Sequence, residues 1–353
     1  MNKNSNKILK LEFTKKEKQK KINYGIQLLR MLCCYLILQA HCYNRNPKKK
    51  IYILYLIYGV RIYVPIFFIL SLYFSYHTII SKNIGNIKSR FERLLIPYFI
   101  WPIAFFIIRN FVIAYYNNNK YYKLKDLISQ MIIGFGIENI FWFQFNLILS
   151  HLIFVIIVFW KDKNYLFLIQ LIGILSFIFF SSNYHYEIFS KYHKCIRQTI
   201  GLFFRILISS SIGFSSASII NIKFLEFHRK KSFFFAFVIL YLFKTYFIPK
   251  DNNTYFDFII FNFCSVCLII IFFLFPFDFK TKIKISFFIK YVTNYTNGIY
   301  CLHPKIRDLL CNDLKMLKHL NIKKCIIIYL ICYMICFIGK ILFRKNKLKY
   351  LFI

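Results

Sequence analysis

Residues 27–41 read QLLRMLCCYLILQAH, an apolar stretch with one arginine, Arg30, near its start and one histidine, His41, at its end. Eleven residues separate the two, so at about 100° per residue they return to nearly the same face of a helix, about 16 Å apart along its axis. One side of this first apolar helix therefore carries a cation near one membrane surface and an imidazole near the other. An ionisable side chain inside a membrane span costs about 2.5–3.5 kcal/mol on insertion scales and by default marks a functional site. Taken singly, each has a plainer reading: Arg30 snorkels to the headgroups and His41 rests in the interface. The pair on one face points to function.

The rest of the composition agrees with a membrane setting. The chain has 353 residues, of which 58% are hydrophobic and 21% aromatic. That is too apolar for a soluble domain of this length and implies an all-α, polytopic protein integral to the membrane, most simply the cell's plasma membrane. The net charge of +36, from 49 Lys and Arg against 13 Asp and Glu, would suggest nucleic acid in a soluble protein. Here the lysines fall between apolar runs, and no soluble domain is left to present a basic face, so nucleic-acid binding is not expected. Cys33, Cys34, Cys264, Cys267, Cys332 and Cys336 lie inside apolar runs and read as small packing residues. Cys264-x-x-Cys267 lacks a second pair, and no metal site is expected.

Read along the chain, residues 1–24 are a basic polar tail without the apolar core of a cleaved signal peptide. A transmembrane domain follows at 25–343, and a short basic tail closes the chain at 344–353. Ten spans are expected, at 25–43, 60–80, 94–116, 139–160, 165–181, 199–221, 232–248, 256–277, 287–309 and 325–343. The run IYILYLIYG at 51–59 is too short to cross alone and reads as an interfacial or re-entrant piece. SKNIGNIKSRFER at 81–93 reads as a basic connection, with Pro97 and Pro102 in the first turns of the helix after it. An amphipathic stretch sits within a polar loop at 117–138. Lys and Arg are in excess in the segments that share a side with the N-terminal tail, which puts both termini in the cytoplasm.

Three segments then carry a resemblance. LLRMLCCYLILQAH has an Arg-x10-His pattern at Arg30 and His41. VPIFFILSLYFSY is followed by KSRFERLLIPYFIW, a Phe-Phe-Ser stretch and then Arg-x-x-Arg at Arg90 and Arg93. NGIYCLHP at 297–304 is a Gly-Ile-Tyr-x-x-His-Pro segment, and FWFQFNLI at 141–148 is a weaker echo. In this order and spacing the chain resembles the membrane acyltransferase family 3 proteins, which O-acylate sugars, polysaccharides and other exported substrates. There are departures. The acidic residue often found before the first arginine is replaced by Gly25-Ile26-Gln27, the glycine after it by Met31, and the Ser-Gly after Phe-Phe by Ser71-Leu72.

The resemblance implies acyl transfer, probing which residues could serve it. Transfer from a thioester to a hydroxyl needs a base for the acceptor proton, a hold on the donor and hydrogen-bond donors for the oxyanion. His41 suits the base, or a nucleophile that carries the acyl group. Arg30 stays protonated and suits a phosphate or carbonyl of the donor, or fixes the path to His41; the alternative is a buried carboxylate partner, Glu138 being the nearest. Arg90 and Arg93, with Lys88 beside them, suit the phosphates of acyl-CoA, most simply acetyl-CoA. His303, before Pro304, together with Ser71 and Tyr300, completes the set of candidates. His151, His185, His193, His228 and His319 show no spacing for a metal and read as structural or solvated.

The expected function is transfer of an acyl group from acyl-CoA to a hydroxyl of a carbohydrate or other exported acceptor. A transporter or flippase whose cationic positions bind an anionic or glycan-linked cargo, and a catalytically inactive relative, are the alternatives.

Overall fold

The structure is a computed structural model and describes residues 24–43, 50–113, 123–136, 139–161, 164–181, 194–220, 264–269, 271, 291–310 and 322–353. Among the described residues every regular element is helical. In chain order these are α1 (Tyr24–Tyr43), α2 (Lys50–Ile80), α3 (Ile84–Ile107), α4 (Leu124–Ile133), α5 (Trp142–Trp160), α6 (Tyr165–Ser181), α7 (Lys194–Ile220), α8 (Thr296–Asp308) and α9 (Ile322–Leu342), closed by a 3₁₀ turn, Lys347–Phe352. Among the described residues, four stretches are long and apolar enough to cross a membrane: Ile62–Ile80, Ile84–Phe111, Trp142–Trp160 and Lys324–Leu342. The span expected at 232–248, most of that at 256–277, and Glu138 lie outside the described residues.

Three sequence expectations are corrected. The piece at 51–59 is not separate: α2 runs unbroken from Lys50 through Pro65 to Ile80, because a proline removes one backbone bond without ending a helix held by its neighbours. The basic connection at 81–93 is mostly helix. Asn83 caps α3 by accepting from the Asn86 N–H, so Lys88, Arg90 and Arg93 project from a helix and Pro97 and Pro102 lie in its interior. The carbonyls those prolines leave unbonded precede a change of pitch, and α3 passes into a π-helix at Ile108–Ile113. The ninth expected span is interrupted by a turn at Asn294 and Tyr295, so α8 begins at Thr296.

Aromatic rings fill the centre. Phe68 of α2 meets Phe143 of α5 at 4.3 Å between centroids, and Phe154 of α5 meets Phe214 of α7 at 5.4 Å. Where α7 crosses α2 the backbones touch: a Cβ on Gly213 would lie 2.5 Å from the Ile69 carbonyl oxygen. With no hydrophobic drive between helices in lipid, such close approach supplies the association. The C-terminal turn also packs inward. Phe352 is buried, stacks on Phe343 and meets the edge of Trp101. Trp101 Nε1 donates to the Leu351 carbonyl at 3.2 Å, and Lys347 pairs with Glu92 near the start of α3.

Candidate active site

Arg30 and His41 both turn toward α8. Arg30 Nη2 donates to Thr296 Oγ1 at 3.2 Å, and one turn along, Cys34 Sγ donates to the Thr296 carbonyl at 3.5 Å. At the other end of α1 the rings of His41 and His303 are 5.3 Å apart, and Arg307 Nη1 donates to the His41 carbonyl at 3.1 Å. The two helices therefore run parallel, and the eleven-residue spacing in α1 sets two levels about 16 Å apart.

The first level holds arginines. Arg90, on the second turn of α3, donates through Nη2 to Ser71 Oγ at 2.5 Å and to the Ser71 carbonyl at 3.1 Å, both on α2. Its Nε is buried and has no hydrogen-bond partner among the described residues. Arg93, and more weakly Arg30, lie close enough for their charges to repel that of Arg90. Among the described residues neither the Arg30 nor the Arg90 guanidinium is paired with a carboxylate, an arrangement that favours an anion. Arg93 and Lys88 are exposed, and Arg93 is tied to its own helix through Ser89. Of the Arg-x-x-Arg motif, then, only Arg90 faces the bundle.

The second level holds histidines. His303 is buried, with Nδ1 3.3 Å from the Ile299 carbonyl. A carbonyl only accepts, so Nδ1 carries the hydrogen and Nε2 is left with a lone pair. That Nε2 is buried without a partner among the described residues. Tyr300 is also buried, its ring 5.8 Å from that of His303, and its hydroxyl donates to the Ile140 carbonyl at 3.4 Å. Arg307 stands beside both histidines and is itself paired with Asp308 at 2.7 Å. Two imidazoles in contact, one with an unengaged acceptor nitrogen, can relay a proton; a flanking cation can steady developing negative charge.

Between the levels runs α5, antiparallel to α8. Its Phe143 lies against Tyr300 and its His151 against Phe91 of α3. Gln144 is fully buried and donates through Nε2 to Asn297 Oδ1 and Cys301 Sγ, each at 3.2 Å. His151 is buried as well, 2.9 Å from Ser75 Oγ. Sequence reading missed Gln144, Thr296, Arg307 and His151 as members of this assembly. The first sits inside FWFQFNLI, where a polar residue in an apolar run was the available signal. Arg307, three residues after the His-Pro pair, lay outside every motif, and Thr296 is an ordinary helix-start residue.

The comparisons with known proteins bear on what such an assembly is. No curated protein and no solved structure matches the chain. One family model does, that of an acyltransferase domain, and its match runs over residues 23–345. That interval begins one residue before α1 and ends just past α9, so it takes in the arginine level, the histidine level and the helices that hold them. With apolar helices of membrane-crossing length and this match over most of its residues, the chain is an integral membrane protein and belongs to the membrane acyltransferase family 3.

Proposed function

We propose that the protein transfers an acyl group, most simply acetyl, from acyl-CoA to a hydroxyl of a carbohydrate or other exported acceptor. The observation that carries this reading is the division of one bundle into two levels on a shared helix face, Arg30 and Arg90 at one and His41 and His303 at the other. Coenzyme A bears a pyrophosphate and a ribose phosphate, for which paired guanidinium groups are suited. Its thioester stands at the far end of a flexible arm, so a base set apart from the phosphate site matches the shape of the donor. His41 takes the acceptor proton or carries the acyl group, with His303 beside it, and Arg307 faces the charge that develops there.

In this reading the arginine level is the cytoplasmic mouth, where acyl-CoA is available, and the histidine level faces the opposite side. The tail contact of Lys347 with Glu92, close to Arg90, supports both termini on the arginine side. Ten spans, a plasma-membrane location and a contiguous domain at 25–343 belong to the same proposal. The test is CoA release from acetyl-CoA by vesicles containing the full chain or its His41→Ala form, with a mixed glycan extract as acceptor. Acceptor-dependent release that disappears in the variant is expected. Equal release from both forms would remove His41 from the chemistry; transport of a glycan without release would favour a carrier.

A further inference from the structure

A hydrogen-bonded chain leads from Arg90 away from the site to a histidine that the proposed chemistry does not use. His151 Nδ1 lies 2.8 Å from the Leu147 carbonyl, and Nε2 lies 2.9 Å from Ser75 Oγ. Ser75 Oγ is in turn 2.7 Å from the Ser71 carbonyl, the oxygen that Arg90 Nη2 reaches at 3.1 Å. His151 and Ser75 are both buried.

Counting hydrogens along this chain gives His151 a task. The Leu147 carbonyl can only accept, so the neutral ring carries its hydrogen on Nδ1 and presents a lone pair at Nε2. The Ser71 carbonyl has two lone pairs and three donors within reach: the Ser75 N–H of its own helix, the Ser75 hydroxyl and Arg90. The hydroxyl has one hydrogen and two acceptors, the carbonyl and His151 Nε2. When it turns to His151, the second lone pair of the carbonyl is left for the guanidinium. Without an acceptor at residue 151 the hydroxyl turns back onto Ser71 and competes with Arg90.

We propose that His151 is a positioning residue for Arg90: by accepting the Ser75 hydroxyl it keeps the Ser71 carbonyl open to the guanidinium and so holds Arg90 in place for the phosphates of the acyl donor. The proposal rests on the reading of Arg90 as a donor-binding residue. It requires no contact between His151 and any substrate. It also predicts an unusual pairing of effects, since loss of Ser75 should repair loss of His151.

The experiment uses the full chain in detergent or vesicles, with coenzyme A as the probe for equilibrium binding and acetyl-CoA for kinetics. His151→Phe keeps a ring beside Phe91 and removes the acceptor. It is expected to raise the CoA Kd and the KM for acetyl-CoA about tenfold, the loss of one hydrogen bond to a charged group, with kcat within about twofold. Ser75→Ala alone leaves both near the parent values, and the double variant His151→Phe/Ser75→Ala returns to within about threefold of them. His151→Leu carries the same comparison if the larger ring does not fold. A double variant as weak as His151→Phe, or weaker, overturns the proposal, because a merely structural histidine gives no rescue. Arg90→Ala separates the two readings. If it weakens CoA binding while His151→Phe does not, only this proposal falls; if it leaves CoA binding unchanged, the donor-binding reading falls and takes this one with it.

Discussion

A tight helix contact beside the site lies at Gly298, and it yields a prediction whose size can be worked from the geometry. A Cβ at residue 298 would stand 2.7 Å from Cys336 Sγ on α9 and 3.1 Å from the Phe352 backbone in the C-terminal turn. Ordinary contact begins at 3.4 Å, so Gly298→Ala forces α8 and α9 apart by about 0.7 Å unless the sulfur swings away, and Cys336 is fully buried with little room to do so. Overpacking of this kind costs about 1–3 kcal/mol. The expected result is a Tm several degrees below the parent in detergent, measured by thermal unfolding of the full chain. Cys336→Ala removes the nearer obstacle and leaves the lesser one at the tail, so Gly298→Ala/Cys336→Ala should recover more than half of the loss. Because Thr296 and His303 ride on the same helix, CoA release per folded molecule should fall as well. A Gly298→Ala protein as stable as the parent, or one that Cys336→Ala does not help, would refute the claim that α8 is seated by contact at this glycine.

Other variants sort the candidate residues. His303→Phe keeps an aromatic ring against His41 but removes the unengaged Nε2; if His303 relays the proton, kcat falls about 10²-fold or more with the KM for acetyl-CoA little changed, and an unaltered kcat would leave His303 a packing residue. Arg93→Ala should change the CoA Kd by less than about threefold whereas Arg90→Ala raises it at least tenfold, since only Arg90 faces the bundle; equal effects in a binding titration would contradict that division. Trp101→Phe removes the donor to the Leu351 carbonyl and should cost about 1 kcal/mol while making the last residues more open to carboxypeptidase; unchanged digestion would mean that this bond does not hold the tail.

Much of the assembly was legible in the sequence, and the reason is periodicity. Arg30 and His41 were placed on one face by their spacing, and both do turn to α8. The helices at 139–160 and 165–181 were bounded by polar punctuation that sets where α5 and α6 begin and end. What periodicity could not supply was partner choice. That Arg90 would find Ser71, and Arg93 only its own Ser89, depends on the phase of α3 against α2, and the two arginines, three residues apart, differ in direction by about a sixth of a turn. The extent of α3 was misread because a basic run resembles a loop in composition, yet Asn83 at its head is a capping residue and could have located the start.

The helix that organises the site carries Gln27, Arg30, Gln39 and His41 within an otherwise apolar α1. In lipid each such group needs an internal partner, because no water is present to supply one. Arg30 has Thr296, the His41 carbonyl has Arg307, and the His41 ring has His303, all on one helix, the two arginine bonds each joining residues 266 apart in the chain. Seating of α1 and assembly of the site are then one event. Thr296→Val would make this visible as lowered Tm together with weakened CoA binding. The Arg30 guanidinium would lose its hydroxyl acceptor in a buried setting, a loss of about 1–3 kcal/mol. Thr296→Ser, which keeps the hydroxyl, should preserve both properties; a Ser variant as damaged as the Val variant would show that the methyl packing of Thr296, and not its bond to Arg30, seats the helix.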